Sequence, residues 1–302
     1  MSAKDIGKTK DFLRTAKVLS EAVPYIRRYA GSTVVVKFGG HAMVEPELAS
    51  LFAQDIVLMR QVGVHPIVVH GGGPQIDQML KRLAIKSEFV DGLRVTTPET
   101  MQIVEMVLAG AINKEVVSQI NQAGGTAIGL SGKDGALIRA RKLPPVKRKG
   151  GGEADLGLVG DPAKINAAML ASFAQTGIVP VIAPIGVGEN GETYNINADT
   201  VAGAVAAATQ AKRMLMLTDV PGVLDGAGEL ISEMSEAEAK KAIAQGTITG
   251  GMIPKVQTCL DAVAAGVEAA VILDGRIPHA LLLEIFTAHG VGTLIRAAAR
   301  AS

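Results

Sequence analysis

Thr33-Val-Val-Val-Lys-Phe-Gly-Gly40 is the stretch that decides the fold. Its run of β-branched residues predicts a short buried strand, and the two glycines after it predict a turn. The segment His65-Pro-Ile-Val-Val-His-Gly-Gly-Gly-Pro74 repeats this design, and helical spacing follows it over residues 74–83. Proline suits the first turn of such a helix, because its missing N–H is not needed there. Two successive units of strand, glycine turn and helix indicate parallel strands joined by helices.

The same alternation continues toward the carboxyl end. We therefore predict an α/β fold in which helices cover both faces of a central, mainly parallel sheet. Ligands bind at the carboxyl ends of the strands in such sheets, which is where the glycine turns fall. Residues 143–153 are the most linker-like segment and are typical of an exposed hairpin or a domain boundary. Further helices are predicted at residues 46–62, 97–123 and 198–211, and further buried strands at residues 126–131, 179–185, 213–219 and 268–274.

Composition excludes several classes of function. The 302 residues suffice for one large domain or two joined lobes, and the net charge of +1 provides no global field for nucleic acid or a membrane. Local basic clusters at residues 139–142 and 147–149 are typical of solvated loops. The single cysteine, Cys259, cannot form an intramolecular disulfide and is expected to be a buried structural residue. Without an apolar leader or a run of about 18 apolar residues, we expect a cytoplasmic protein, or an organellar one that has lost a transit peptide.

Residues 1–31 differ from the rest of the chain. Their apolar positions fall near helical spacing, and Pro24 predicts a kink or break. This amphipathic extension is expected to pack either on its own domain or on another subunit, and the sequence leaves both open.

The two glycine turns are suited to binding anions. Bare glycine backbones let N–H groups approach phosphate or carboxylate oxygens, and a helix that begins nearby adds its positive dipole end. Neither turn matches the G-x-G-x-x-G pattern of dinucleotide sites, and the chain has no P-loop at Gly132-Lys133. Lys37 stands at the end of an apolar strand, where an unpaired ammonium would be costly to bury. We therefore expect Lys37 to meet an anion.

A second basic site begins at Thr249-Gly-Gly-Met-Ile-Pro-Lys255. A lysine in the first turn of a helix is unfavourable unless an anion lies between it and the helix dipole. The alternatives are phosphate binding and an exposed lysine with a small penalty. Asn195-Ile-Asn-Ala-Asp199 precedes another predicted helix, where Asn197 and Asp199 are explained by helix capping alone or by an acid that holds two lysines in position.

Taken together, these residues resemble the amino acid kinase family over residues 34–295, and within it the members that phosphorylate N-acetyl-L-glutamate in arginine biosynthesis. The resemblance implies a three-layer sandwich, with an acetylglutamate-binding half at residues 32–177 and an ATP-binding half at residues 178–302. It implies Mg²⁺ bound to the ATP phosphates and no dedicated metal site in the protein. Carried over by position, the implied residues are Lys37, Lys255 and Asp199 for catalysis, Gly72, Gly73, Arg94 and Asn195 for acetylglutamate, and Gly39, Gly40, Thr218, Asp219, Gly222, Val223, Leu224, Gly250 and Gly251 for the nucleotide.

The extension and the carboxyl-terminal segment resemble the arginine-inhibited members of the family. Those members are hexamers joined through such an extension, and they bind arginine near it. The resemblance assigns His279, Glu284 and Gly290 to an arginine site, although a surface ion pair or a helix cap would also explain the first two. A PII-type signalling protein is a further partner that the sequence does not decide.

Two alternatives differ in class. Another kinase of the same fold would act on aspartate, glutamate, carbamate or UMP, but the segments Gly92-Leu-Arg-Val-Thr96 and Asn195-Ile-Asn-Ala-Asp199 favour acetylglutamate. A non-catalytic arginine sensor could keep the glycines and lose the lysines. The presence of Lys37, Asp199 and Lys255 favours an enzyme.

Overall fold

The computed structural model describes residues 3–147 and 151–297. Helices alternate with strands along most of it. The helices are α1 (Ala3–Tyr29), α2 (Pro46–Gln61), α3 (Gly73–Arg82), α4 (Pro98–Glu105), α5 (Asn113–Gln122), α6 (Ala167–Thr176), α7 (Ala198–Ala208), α8 (Glu236–Ala244), α9 (Met252–Ala264) and α10 (Ala280–Phe286). The strands are β1 (Thr33–Phe38), β2 (His65–His70), β3 (Phe89–Val90), β4 (Leu93–Arg94), β5 (Ala127–Ser131), β6 (Ile138–Lys142), β7 (Val146–Lys147), β8 (Glu153–Ala154), β9 (Gly160–Ile165), β10 (Val179–Ala183), β11 (Ile185–Val187), β12 (Thr193–Asn195), β13 (Arg213–Thr218), β14 (Glu233–Ser235), β15 (Ala269–Asp274) and β16 (Thr293–Arg296).

An eight-stranded sheet forms the middle layer, in the order β14-β16-β15-β13-β1-β2-β10-β5. Its neighbours pair in parallel except for β15 and β16. The predicted α/β fold with a mainly parallel sheet is therefore confirmed. Strand β1 is central: Val36 pairs with Val68 of β2 on one side and with Leu215 of β13 on the other. Its carboxyl end lies beside both of theirs.

Strand alternation determines which side chains reach which layer. Val34, Val36 and Phe38 belong to one hydrophobic cluster, together with side chains from α2 and α3. Val35 belongs to the cluster on the opposite face, together with side chains from α7 and α9. Because side chains on a strand alternate, Lys37 shares the face of Val35 and points toward α7 and α9. This orientation allows Lys37 to contact residues of those two helices.

Cys259 lies in the same cluster as α7 and is fully buried, as expected. Burial raises the pKa of its thiol, which keeps the side chain protonated and unreactive.

The structure adds elements that the sequence did not predict. The helix expected over residues 97–123 contains a π-helical segment, Met106–Ile112, between α4 and α5. Pro184 separates β10 from β11, and β11 joins a four-stranded sheet in the order β12-β11-β6-β9. In the linker-like segment, by contrast, β7 and β8 pair in antiparallel fashion, so its two ends form the hairpin that was one of the two predicted alternatives. Residues 148–150 of that segment, which include Arg148 and Lys149 of the basic cluster, lie outside the described residues.

Helix α1 runs through Pro24, where the sequence predicted a kink or break. The carbonyl of Ser20, which loses its partner there, lies on an exposed turn where water can replace it. The last turn packs on the domain through buried Tyr29, and Arg28 donates to Glu268 at 2.9 Å. Phe12, 71% exposed, is one of several apolar side chains of α1 that remain uncovered. None of the helices within residues 3–147 and 151–297 combines the length and the apolar character needed to cross a bilayer.

Candidate active site

Lys37 and its glycine turn form one wall of the site. The lysine is only 8% exposed, at the carboxyl end of β1. A Cβ at Gly39 would lie 2.5 Å from the Nζ of Lys37, so a side chain there would displace the ammonium. Gly40 has φ +73°, which favours glycine, and a Cβ there would lie 2.8 Å from the Cγ of Asp219. A side chain at either position would therefore displace a charged group that borders the turn.

Asp199 brings two distant lysines together. Its Oδ1 lies 3.1 Å from the Nζ of Lys37, and its Oδ2 lies 2.7 Å from the Nζ of Lys255. The side chain of Asn197 caps α7 by accepting from the N–H groups of Asp199 and Thr200, which fixes the start of the helix. Burial alone would raise the pKa of Asp199, but the charges of both lysines and their hydrogen bonds outweigh it and hold the pKa below its usual value. The carboxylate therefore stays ionised and screens the two ammonium groups from each other.

The glycine turn after β2 forms the opposite wall. A Cβ at Gly72 would lie 2.6 Å from Leu108 Cδ2 and closer still to Ile112 Cδ1, both in the π-helical segment. A Cβ at Gly73 would meet nothing within 4 Å. Close packing therefore explains only the first of these glycines, and the second leaves room for a ligand.

Arg94 approaches the same turn from β4. Its Nη1 pairs with Asp77 Oδ1 at 2.6 Å and contacts the hydroxyl of Ser87, while Nη2 donates to the carbonyl of Gly73 at 3.4 Å. The guanidinium lies 4.5 Å from the ring centroid of Phe89. One edge of the guanidinium is thus anchored, which leaves the rest of the planar group to meet a carboxylate.

A cavity of about 280 Å³ lies between these walls. Asn195 borders it and donates through Nδ2 to Thr96 Oγ1 at 3.2 Å. Lys255 is not among the lining residues but reaches the site through Asp199. The cavity is therefore the place where the catalytic and the acetylglutamate-binding candidates meet. The predicted residues that line it are Lys37, Gly39, Gly40, Gly72, Gly73, Arg94, Asn195 and Asp199.

The predicted nucleotide residues outside the cavity lie at the ends of β13 and at the start of α9. Asp219 accepts from the N–H of His41 at 2.6 Å, beside the glycine turn of β1. The side chain of Val223 is buried in the core, so a contact from this residue would come from its main chain. Gly250 and Gly251 have open space around their α-carbons, as an approaching phosphate would require.

The loop after β13 also carries apolar surface. Val220 and Leu224 are 38% and 39% exposed, and Ile253 in the first turn of α9 is 37% exposed. The sequence did not single out Val220 or Ile253, since isolated apolar residues in loops carry no pattern.

Sequence similarity connects the chain to known proteins. The model of the amino acid kinase family matches residues 32–274, well over half of the chain. The chain belongs to the amino acid kinase family. Its similarity to curated members extends over nearly the full length. The acetylglutamate kinase of Rhodospirillum centenum is 62% identical over 290 residues, which are 95% of each chain. The acetylglutamate kinase of Rhodospirillum rubrum is 61% identical over 292 residues, which are 95% of this chain and 94% of the other.

These identities over nearly the full length confirm the resemblance to the acetylglutamate-phosphorylating members of the family. Solved structures agree with the family's fold. An N-acetylglutamate synthase from Neisseria gonorrhoeae, complexed with coenzyme A and N-acetyl-glutamate, superposes with a TM-score of 0.83 at 25% identity. The match covers 94% of this chain and 64% of that longer chain. A carbamate kinase from Giardia lamblia bound to AMP-PNP, 16% identical with a TM-score of 0.65, shares the fold.

A second cavity, of about 530 Å³, lies where α1 meets the domain. Glu284 and Gly290, which the resemblance assigns to an arginine site, both line it. Burial raises the pKa of Glu284, and its Oε2 accepts from the N–H of Val291 at 3.0 Å. The sequence missed several other lining residues, because they are distant along the chain and follow no motif. These are Tyr25, Arg28, Tyr29, Arg213, Glu268 and His289.

His279 lies outside that cavity. Its Nδ1 lies 2.6 Å from Oδ1 of Asp55 on α2, a partner that no sequence pattern indicated. The residue begins α10 with φ +57°, and this left-handed conformation belongs to the turn that directs its side chain toward Asp55. Its assignment to the arginine site is therefore not supported by its position.

Proposed function

We propose that the protein transfers the terminal phosphoryl group of ATP to the side-chain carboxylate of N-acetyl-L-glutamate. The products are ADP and N-acetyl-L-glutamyl 5-phosphate, and the reaction is the second step of arginine biosynthesis, placed in the cytoplasm. The observation that carries the proposal is the convergence of Lys37 and Lys255 on Asp199, beside a cavity lined with glycine.

The two lysines suit phosphoryl transfer because charge spreads over the phosphate oxygens in the transition state. Lys37 would approach the migrating group from the end of β1, and Lys255 from the start of α9. Asp199 holds both ammonium groups near each other before the substrates arrive. A carboxylate acceptor is already ionised at neutral pH, so it needs no general base to attack. Orientation and charge neutralisation would then supply the main catalytic effects.

The acceptor would lie in the cavity of about 280 Å³. Its attacking carboxylate would accept hydrogen bonds from the N–H groups of Gly72 and Gly73, since anions bind where a glycine turn leads into the N-terminus of a helix. Arg94 would bind the other carboxylate through the edge of its guanidinium that faces away from Asp77. Asn195 would donate to the acetyl group or the backbone carboxylate. These assignments leave the attacking carboxylate oxygen on the side of the cavity that Lys37 borders.

The nucleotide would lie against the loop after β13 and the start of α9, with Val220, Leu224 and Ile253 around the base. We assign Mg²⁺ to the ATP phosphates, where it would neutralise charge, because this ion retains water and prefers phosphate oxygens. Both oxygens of Asp199 are taken by the lysines. Asp219, whose side chain is 43% exposed beside Gly40, is the acid suited to hold the hydration water of the ion. Within the described residues, no group of three or more His, Cys, Asp and Glu side chains is arranged to bind a metal.

Arginine inhibition and a hexamer are further parts of the proposal. The cavity beside α1 is lined by Glu284, which would receive a guanidinium, and by Arg28 and Arg213, which pair with Glu268 and would share these contacts with a ligand carboxylate. The uncovered apolar side chains of α1 would be buried by a neighbouring subunit. The resemblance also suggests a PII-type signalling protein as a partner.

The experiment that tests the proposal is a competition between acceptors. The purified protein is given ATP and Mg²⁺ with equimolar N-acetylglutamate, aspartate, glutamate, carbamate and UMP, and phosphorylated products are trapped and quantified. We expect N-acetylglutamyl phosphate to dominate, trapped by hydroxylamine as its hydroxamate. Preferential phosphorylation of another acceptor would identify that acceptor as the substrate instead. Absence of all products would favour a non-catalytic arginine sensor.

A further inference from the structure

A buried network lies beneath the glycine turn that follows β2. The Nδ1 of His70 lies 2.8 Å from the carbonyl oxygen of Gly71, and its Nε2 lies 3.2 Å from Nδ2 of Asn113. The same Nδ2 donates to the carbonyl of Val181 in β10 at 2.9 Å. His70 is 0% exposed and Asn113 is 1% exposed, so neither side chain reaches the cavity. Any effect they have on a ligand must pass through the main chain.

The contacts of Asn113 determine where the proton of His70 lies. The carbonyl of Val181 can only accept, so the group of Asn113 that faces it is the amide NH₂. The second hydrogen of this NH₂ points to Nε2 of His70, which must then be an unprotonated acceptor. The proton is left on Nδ1 and is donated to the carbonyl of Gly71. Burial lowers the pKa of His70 to about 4, so the ring is neutral at physiological pH.

This hydrogen bond orients the next peptide group. In a trans peptide the C=O and the following N–H point in opposite directions. The carbonyl of Gly71 is held toward the core by His70, so the N–H of Gly72 points away from the core. The N–H of Gly71 is held as well, since it donates to the carbonyl of Phe38 at 2.8 Å. In the part of the chain that the structure describes, no acceptor lies within hydrogen-bonding distance of the N–H groups of Gly72 and Gly73.

The π-helical segment fixes the same turn from another side. Leu108 and Ile112 pack against the α-carbon of Gly72, where a Cβ would collide with both. Asn113 follows directly, at the first position of α5. The segment thus delivers two packing side chains to the glycine and one amide to His70. π-Helical segments are rare and are often found at functional sites.

We propose that His70 is a positioning residue: Asn113 holds it as the Nδ1–H tautomer, and it orients the Gly71–Gly72 peptide so that the N–H of Gly72 meets the attacking carboxylate of the acceptor. The N–H of Gly73, oriented by α3 through the bond from Ile76 to the carbonyl of Gly72, would meet the same carboxylate. This inference rests on the proposed function. It adds a role for a side chain that touches neither substrate.

Two isosteric substitutions test the role. In His70→Asn the amide nitrogen takes the place of Nδ1 and can still donate to the carbonyl of Gly71. In His70→Gln the amide oxygen takes the place of Nε2 as the acceptor from Asn113, and the donor to Gly71 is lost. We expect His70→Gln to raise the KM for N-acetylglutamate by about tenfold to a hundredfold, as for the loss of a hydrogen bond to a charged group. His70→Asn should show a much smaller rise, and both should retain the KM for ATP.

Thermal unfolding of both variants separates this role from a structural one. Equal KM values for N-acetylglutamate in two folded variants, with the wild-type protein active, would overturn the positioning role. Long-range ¹H–¹⁵N correlation spectra of the wild-type protein provide a second measurement that needs no variant and no turnover. They should show the proton of His70 on Nδ1, and a proton on Nε2 would overturn the inference. Failure of the wild-type protein to phosphorylate N-acetylglutamate would instead contradict the proposed function, and the spectra would still decide the tautomer.

Discussion

The Nζ of Lys255 lies 2.7 Å from Oδ2 of Asp199, so a lysine in the first turn of α9 is paired with an acid in the first turn of α7. A lysine is unfavourable at the N-terminus of a helix, because its charge has the same sign as that end of the helix dipole. Here the carboxylate of Asp199 on the neighbouring helix α7 provides the compensating negative charge. The same carboxylate also meets Lys37. Asp199 therefore controls the separation of both ammonium groups.

We predict that Asp199→Asn lowers kcat by about 100-fold or more, because two lysines without the carboxylate repel each other and lose their orientation. The side chain keeps its shape, so the fold should persist. The measurements are kcat, the KM values for both substrates and the thermal midpoint. Asp261→Asn, on the exposed face of the same helix as Lys255, is the control and should behave as wild type. A wild-type kcat in Asp199→Asn would show that the acid is only structural.

Lys37→Ala and Lys255→Ala should each lower kcat by about 100-fold to 1000-fold, since each would remove charge stabilisation from the transition state. The two effects should not add fully, because both lysines act on one group through one acid. Lys240→Ala, which removes an exposed ion pair with Glu236 on α8, is the matched control. Wild-type rates in both active-site variants would refute the catalytic assignment.

Gly72→Ala and Gly73→Ala should differ in stability. The added methyl of Gly72→Ala would meet Leu108 and Ile112, so we expect a loss of about 1–3 kcal/mol in the free energy of unfolding. Gly73→Ala has free space and should unfold as wild type does. Chemical denaturation measures both. If the first variant were as stable as the second, the turn would have to move more easily than its packing indicates.

The pair of Asp55 and His279 predicts a pH dependence of stability. Burial raises the pKa of Asp55 to about 6, although the hydrogen bond and charge of His279 lower it. This value exceeds the pKa of about 3.9 of an unfolded aspartate, so the folded protein binds the proton more tightly. The stabilising contribution is complete below about pH 4 and is lost as the pH rises through 6.

Relative to Asp55→Asn, the wild-type protein should therefore lose on the order of 2 kcal/mol of unfolding free energy between pH 4 and pH 7. Urea titrations at a series of pH values measure the difference. Asp261→Asn should track the wild-type curve. Parallel curves for wild type and Asp55→Asn would show that Asp55 has an ordinary pKa.

Arginine inhibition, if the proposal is correct, should be sigmoidal and should disappear when residues 1–28 are deleted, because the deletion removes Tyr25 and Arg28 from the cavity. Glu284→Gln should weaken inhibition without changing uninhibited turnover. His279→Asn is the informative comparison, since His279 lies outside the cavity and should leave inhibition near wild type. Unchanged inhibition in the truncated protein would exclude the proposed site.

The central sheet could be predicted from sequence because its signals are local. A β-branched run that ends in glycine predicts a strand and a turn, and a lysine in such a run demands an explanation. The neighbourhood of Lys37 and Asp199 does not follow from the sheet, because α7 begins after β12 of the four-stranded sheet; it is implied by the resemblance to the family.

Other features could not be predicted, for identifiable reasons. A π-helical segment changes helical spacing by about one residue, which leaves the apolar pattern of residues 97–123 nearly intact. Strands as short as β3 and β4 carry too few residues for a period to be recognised. The partner of His279 depends on a left-handed turn at α10 and on a helix far earlier in the chain. Such contacts come from tertiary structure alone.

The position of β10 has a consequence for how such a protein can be divided. By sequence, this strand opens the half assigned to ATP, yet in the sheet it lies between β2 and β5, two strands of the half assigned to acetylglutamate. Pairing of Val181 with Val68 binds the two portions along a shared ladder. A chimaera joined near residue 178 would place a β10 from the other parent protein between β2 and β5 of the acetylglutamate-binding half. Exchange of nucleotide specificity between relatives is therefore expected to succeed only with a junction placed after β10.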